Sequence, residues 1–80
     1  MTIAEAIAKR TRDLLIKYNK TQYAIEKEMG IPHRTMLNIT GAKHNSTNVK
    51  TVMQICKGIG ISVGAFFTDP LFENAELEID

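Results

Sequence analysis

The side chains best suited to chemistry cluster in one short stretch, PHRTMLNI, at residues 32–39. On a helix over this stretch, Met36 and Ile39 share one face, because residues three apart lie above one another. The outward positions are then His33, Arg34, Leu37 and Asn38. Arg34 can donate two hydrogen bonds to guanine O6 and N7, and Asn38 can pair with adenine N6 and N7. The pattern indicates a helix surface suited to reading the edges of bases.

Catalytic chemistry finds no support in the residue types and their spacing. The chain has no glycine-rich phosphate loop, and no nucleophile stands at a usable spacing from a base. His33 and His44 are far apart and lack the cysteine or carboxylate companions that would complete a metal site. Cys56 lies on an apolar helix stripe and is interpreted as a core residue. We therefore expect no enzyme, no metal and no other cofactor.

Length and composition narrow the class of protein. With 80 residues there is room for one domain and one core, and a hydrophobic content of 44% predicts that the chain folds. One cysteine excludes an internal disulfide framework and fits a reducing compartment. The first residues lack the continuous apolar segment of a signal peptide, and no stretch approaches the roughly 18 apolar residues of a membrane span. We expect a small cytoplasmic protein without membrane association.

Five helices account for the spacing of the apolar residues. The pattern predicts helices over about residues 3–18, 22–29, 33–39 and 49–59, and a short fifth helix that holds Val63, Phe66 and Phe67. The residues expected to face inward are Ile3, Ile7, Leu14, Leu15 and Tyr18, then Ile25, Met29, Met36 and Ile39, and finally Val49, Val52, Met53, Cys56 and Ile59. Thr21 and Ser62 are predicted N-caps, while Gly30 and Gly60 are predicted to close helices. The fold class is therefore all-α.

The charge is divided unevenly along the chain. All ten lysines and arginines lie between Lys9 and Lys57, so residues 1–68 have a net charge of +6. Residues 69–80, which we name the acidic tail, have five carboxylates and no base. We treat residues 1–68 as the folded domain. A basic body suggests a polyanion-binding face, although the same charge would also keep a small domain soluble.

The two central helices share a pattern with a known class of protein. Ile31 is expected to fill the angle between them, and Gly30 permits the bend. The segment TQYAIEKEMGIPHRTMLNI, followed by VKTVMQICKGIGISVGAFF, resembles the phage-repressor and Cro-like helix–turn–helix family of xenobiotic-response-element regulators, over roughly residues 5–67. This resemblance implies a compact five-helix, lambda-repressor-like domain whose helix–turn–helix is formed by the second and third helices.

The resemblance also implies a function and a set of contacts. It implies a transcriptional regulator, most simply a repressor, that binds a pseudo-palindromic operator in double-stranded DNA as a homodimer. The expected base contacts are His33, Arg34, Leu37 and Asn38. The expected phosphate contacts are Thr21, Gln22, Tyr23, Thr35, Lys43, His44 and Asn45. Glu26 departs from the family pattern, which usually has alanine there, so this glutamate must point outward or find a partner.

A protein-interaction module, such as an antitoxin or an adaptor, stays open as an alternative. In the acidic tail, apolar residues alternate with carboxylates, and this combination suits a protein partner. The apolar members are Leu71, Phe72, Leu77 and Ile79. The same segment could equally serve as a dimer arm or do nothing. In this alternative DNA binding would be secondary.

Overall fold

The structure, a computed structural model, describes residues 1–42 and 48–73. Its helices are α1 (Ile3–Lys17), α2 (Gln22–Met29), α3 (His33–Thr40), α4 (Val49–Ile59), α5 (Val63–Phe67) and α6 (Pro70–Glu73). The all-α prediction is confirmed. The prediction of five helices is wrong, because a sixth forms at the start of the acidic tail. Within the described ranges, no helix is long and apolar enough to cross a membrane.

Local caps set the ends of the helices, as the sequence predicts for α2, α4 and α5. The hydroxyls of Thr21 and Ser62 each accept a hydrogen bond at 3.0 Å from the backbone N–H three residues further on. Gly30 and Gly60 adopt left-handed conformations, with φ of 66° and 96°. Only glycine adopts this region without steric cost, so both residues end their helices where expected.

Two further caps were not anticipated. α1 starts with a capping box, in which the Thr2 hydroxyl accepts from the Glu5 N–H at 3.1 Å and the Glu5 carboxylate accepts from the Thr2 N–H at 2.7 Å. That backbone donor lowers the pKa of Glu5. At the start of α4, Asn48 Oδ1 accepts from both the N–H and the hydroxyl of Thr51.

One hydrophobic cluster lies between the first five helices. Its buried members are Ile7, Leu14, Leu15, Ile25, Ile31, Met36, Ile39, Val52, Ile55, Cys56, Ile59 and Phe66. Thr11 is also fully buried. Its hydroxyl donates to the Ile7 carbonyl at 2.8 Å, so a polar group is satisfied inside the core.

Several residues expected to face the core are exposed instead. They are Ile3, Tyr18, Val49 and Met53. The largest error concerns α4, where Val49 is 70% exposed and Ile55, which the prediction left out, is fully buried. The buried arc of α4 therefore lies further round the helix than the apolar stripe indicated.

Small residues explain this shift of the buried face of α4. Thr51 and Gly58 are buried on the side of α4 where α2 packs. A Cβ at Gly58 would lie 3.0 Å from both Ile25 Cδ1 and Met29 Cγ, which is closer than side chains normally pack. The absence of a side chain at Gly58 thus lets α2 approach closely, and the hydrophobic pattern alone does not register such a residue.

Arg10 of α1 joins the last two helices to the body. Its Nε donates to the Phe66 carbonyl at 2.7 Å, its Nη2 donates to the Ala65 carbonyl at 2.9 Å, and its Nη1 lies 3.2 Å from Asp69 Oδ2. Phe72 of α6 packs against the core cluster. Residues 69–73, which begin the acidic tail, are therefore packed onto the domain.

Candidate nucleic-acid interface

The candidate interface is centred on α3, whose orientation is fixed by the turn that precedes it. Ile31, in this turn, is buried, and its N–H donates to the Glu26 carbonyl at 3.0 Å. Pro32 precedes α3 with φ of −59°, a value that its ring imposes. On the inner face of α3, Met36 and Ile39 are both essentially inaccessible to solvent. The burial predicted for these residues is confirmed, and it fixes which face of α3 points outward.

The outward face of α3 carries the residues predicted to contact bases. His33, Arg34 and Leu37 are exposed, while Asn38 is half-buried. At about 100° per residue, Arg34 lies opposite the buried edge of the helix. His33 lies nearer the side that faces α2. Thr35, expected to contact phosphate, is half-buried at the other edge of the exposed face. The structure thus brings all five side chains onto one short helix.

The predicted phosphate contacts of α2 lie around its first turn. The Thr21 hydroxyl oxygen accepts the capping bond, which leaves its proton available to donate outward. Gln22 is half-buried and Tyr23 is exposed. Lys27 Nζ lies 5.5 Å from the centre of the Tyr23 ring, within the range of a cation–π contact. The first turn of α2 therefore presents two hydroxyls and one amide, with a lysine beside the tyrosine.

The remaining predicted phosphate contacts are Lys43, His44 and Asn45, which lie outside the described residues.

Glu26 has found a partner rather than pointing outward. It is 8% exposed, and both of its carboxylate oxygens lie 3.0 Å from Nδ1 of His33. The His33 side chain itself is 69% exposed. The contact connects the middle of α2 to the first residue of α3, across the turn. The sequence left both options open for Glu26, and it did not identify His33, seven residues later, as the partner.

Some of the basic residues of the body are engaged in the fold and do not form a free cationic surface. Arg10 binds α5 and Asp69, and Arg12 Nη1 donates to the Thr40 carbonyl at the end of α3, at 2.6 Å. Lys9 pairs with Asp13 at 2.9 Å. The other cations of the described ranges include Lys17, Lys20, Lys27, Arg34, Lys50 and Lys57. Arg10, Arg12 and Lys9 are therefore held by contacts within the fold, which limits the positions their side chains can take toward a polyanion.

A second surface of interest lies on α4. Val49 and Met53, four residues apart, are exposed apolar residues on one side of this helix. Val49 borders an apolar pocket of about 150 Å³ with Ile3 and Phe67. Met53 borders a shallow groove of about 480 Å³ that it shares with Met29, Lys50, Gln54 and Lys57. Together these residues form an apolar strip flanked by lysines.

Comparison of the chain with protein-family models, with curated protein sequences and with solved structures finds no significant match. The resemblance to the phage-repressor and Cro-like regulators therefore rests on the residues and motifs given above, and family membership stays a prediction.

Proposed function

We propose that this chain is a sequence-specific, double-stranded-DNA-binding transcriptional regulator of the cytoplasm, most simply a repressor, with α2 and α3 as its helix–turn–helix. The observation that carries the proposal is the two-sided character of α3. Met36 and Ile39 are held in the core, while Arg34 on the opposite side is exposed. A short helix held this rigidly, with its polar face free, suits insertion into the major groove.

Each residue of the outer face has a distinct role in this proposal. Arg34 donates two hydrogen bonds to guanine, and Asn38 pairs with adenine. Leu37 contacts a thymine methyl group, and this contact explains why an exposed leucine lies among polar residues. Thr21 and Gln22 bind phosphate at the N-terminus of α2, where the helix dipole favours negative charge. Phosphate contacts set the register, and the contacts from α3 select the sequence.

A homodimer completes the proposal, because one chain presents a single recognition helix. Two copies related by a two-fold axis would place their α3 helices in successive major grooves, about 34 Å apart. The operator would then be a pseudo-palindrome with half-sites one helical turn apart. Occupation of a promoter by the dimer would exclude RNA polymerase and repress transcription.

Selection of binding sites from a pool of random duplexes tests the proposal. We expect a palindromic consensus to be enriched, and we expect its affinity to fall steeply with salt, since each neutralised phosphate releases counterions. Because salt weakens non-specific binding as well as specific binding, selection should be repeated at two salt concentrations and the enriched sequences compared. Failure to enrich any sequence would refute the proposed function.

Arg34→Ala tests the assignment of an individual base contact. We expect it to relax preference at one base pair of each half-site and to cost roughly 1–3 kcal/mol of binding free energy. Lys57→Ala is the matched control, because it removes the same charge from α4, at a residue that is not among the predicted DNA contacts. If Arg34→Ala weakens binding to all sequences equally, then Arg34 contacts phosphate only.

A protein-interaction module, such as an antitoxin or an adaptor, is the second candidate, and the exposed strip on α4 favours it. Contiguous exposed apolar residues mark interaction sites in small proteins, and the flanking Lys50 and Lys57 would favour an acidic partner. Met53→Ser separates the candidates. An interaction module should lose an identified partner in this variant, whereas a regulator should retain its selected DNA sequence.

A further inference from the structure

We propose that Glu26 is a positioning residue for sequence recognition: its carboxylate holds the His33 ring so that the outer nitrogen, Nε2, accepts a hydrogen bond from an adenine or cytosine amino group. This inference rests on the proposed DNA-binding function and deepens it. It makes α2 a contributor to specificity, although α2 itself reads no base.

In this pair the carboxylate of Glu26 is buried and the imidazole ring of His33 is exposed. Glu26 is 8% exposed, so the surrounding protein limits the positions open to its carboxylate. Both of its oxygens lie at 3.0 Å from the same ring nitrogen, Nδ1 of His33. The His33 side chain is 69% exposed. The contact therefore restricts an exposed side chain that would otherwise sample several rotamers, and it reduces the entropy lost on binding.

The chemistry of the pair determines which ring nitrogen carries a proton. A carboxylate can only accept hydrogen bonds, so Nδ1 of His33 must be the donor. In the neutral ring Nε2 then has a free lone pair and accepts. Among the base edges of the major groove, the hydrogen-bond donors are the N4 amino group of cytosine and the N6 amino group of adenine. The pair at the start of α3 thus selects a base that presents an amino group.

The stability of the folded domain does not explain why the buried position 26 carries a carboxylate. Removing a carboxylate from water costs several kcal/mol, and a single neutral or charged hydrogen-bond partner recovers only part of that cost. An apolar side chain at this position would avoid this penalty. A role in orienting His33 gives the buried carboxylate a function that an apolar side chain cannot supply.

The tautomer can be tested without DNA. A long-range proton–nitrogen NMR spectrum distinguishes the two ring nitrogens, and it should be recorded at mildly alkaline pH, where ordinary imidazoles are neutral. We expect the proton of His33 on Nδ1 in the wild-type protein and a mixture of tautomers in Glu26→Ala. A wild-type ring protonated on Nε2 would overturn the proposal.

Binding-site selection at the same pH then tests recognition, with His33→Ala, Glu26→Ala and Glu26→Gln compared with the wild type. We expect His33→Ala and Glu26→Ala to lose roughly fivefold to tenfold preference for adenine or cytosine at the same base pair, as befits one hydrogen bond. Preference at the base pair that responds to Arg34→Ala should not change. Glu26→Gln should keep most of the preference, because its amide oxygen still accepts from Nδ1.

The outcomes separate this inference from the function on which it rests. If His33→Ala alters one base pair but Glu26→Ala alters none, or weakens all sequences equally, then Glu26 is only structural and the inference is wrong. Selection of guanine at that base pair would also overturn it, because guanine presents acceptors. In these cases DNA binding itself stands. A wild-type chain that enriches no sequence overturns both. Should Glu26→Ala fail to fold, the tautomer of the wild-type His33 ring decides: a proton on Nδ1 supports the inference and a proton on Nε2 overturns it.

Discussion

Replacing Arg10 with methionine should destabilise the domain far more than its position near the N-terminus suggests. Arg10→Met keeps an unbranched apolar side chain and removes the guanidinium. Three interactions are lost together, two with carbonyls at the end of α5 and one with Asp69. The arginine side chain is only 16% exposed, so water replaces these partners incompletely.

The magnitude follows from the number and the kind of these bonds. At about 1 kcal/mol of net stabilisation for each hydrogen bond, three bonds give about 3 kcal/mol. The charge of the donor would raise this value, and partial access of water to Asp69 would reduce it. For a domain of this size, 1 kcal/mol corresponds to about 4–8 °C in Tm, so we expect Tm to fall by roughly 12–24 °C.

Circular dichroism during thermal and urea unfolding measures the effect. Lys9→Met is the matched control, since it removes a cation from the neighbouring position, where Lys9 and Asp13 form an exposed pair. Such pairs contribute about 0.5 kcal/mol, so the control should change Tm by only a few degrees. If Arg10→Met and Lys9→Met lower the stability equally, the Arg10 contacts do not hold α5 and α6 in place.

Two further predictions concern the packing of α4. Gly58→Ala should destabilise by about 1 kcal/mol, because crowding against the buried Ile25 and against Met29 outweighs the gain of about 1 kcal/mol in helix propensity; a higher midpoint in urea would show that these side chains or α2 can move aside. Cys56 should be alkylated slowly at neutral pH in the native protein and rapidly in denaturing urea, since burial raises the pKa of its thiol and blocks access; equal rates in mass-spectrometric time courses would contradict this.

Local sequence chemistry predicted most of the helix boundaries. Thr21 and Ser62 can cap the helices that follow them, and Gly30 and Gly60 can adopt the left-handed conformation that ends a helix. Each of these effects depends on residues within one turn, so it can be read without knowing the fold. The same local pattern predicted that Met36 and Ile39 face inward, and therefore which side of α3 is free.

Interactions between distant residues were not predictable in the same way. Arg10 binds carbonyls more than fifty residues away, and nothing in its neighbourhood distinguishes it from the exposed Lys9. The buried face of α4 depends on Gly58, whose contribution is the absence of a side chain. The pairing of Glu26 with His33 depends on how the turn orients α2 and α3. In each case the decisive quantity is a distance set by tertiary packing.

The short length of α3 limits how much DNA one copy can read on the proposed function. Its eight residues extend about 12 Å at about 1.5 Å per residue. Base pairs are stacked about 3.4 Å apart, so a helix of this length lies alongside only three or four of them. So few base pairs cannot distinguish one operator among the competing sites of a genome. Discrimination must then come from several copies bound together, and occupancy would depend steeply on the concentration of the protein.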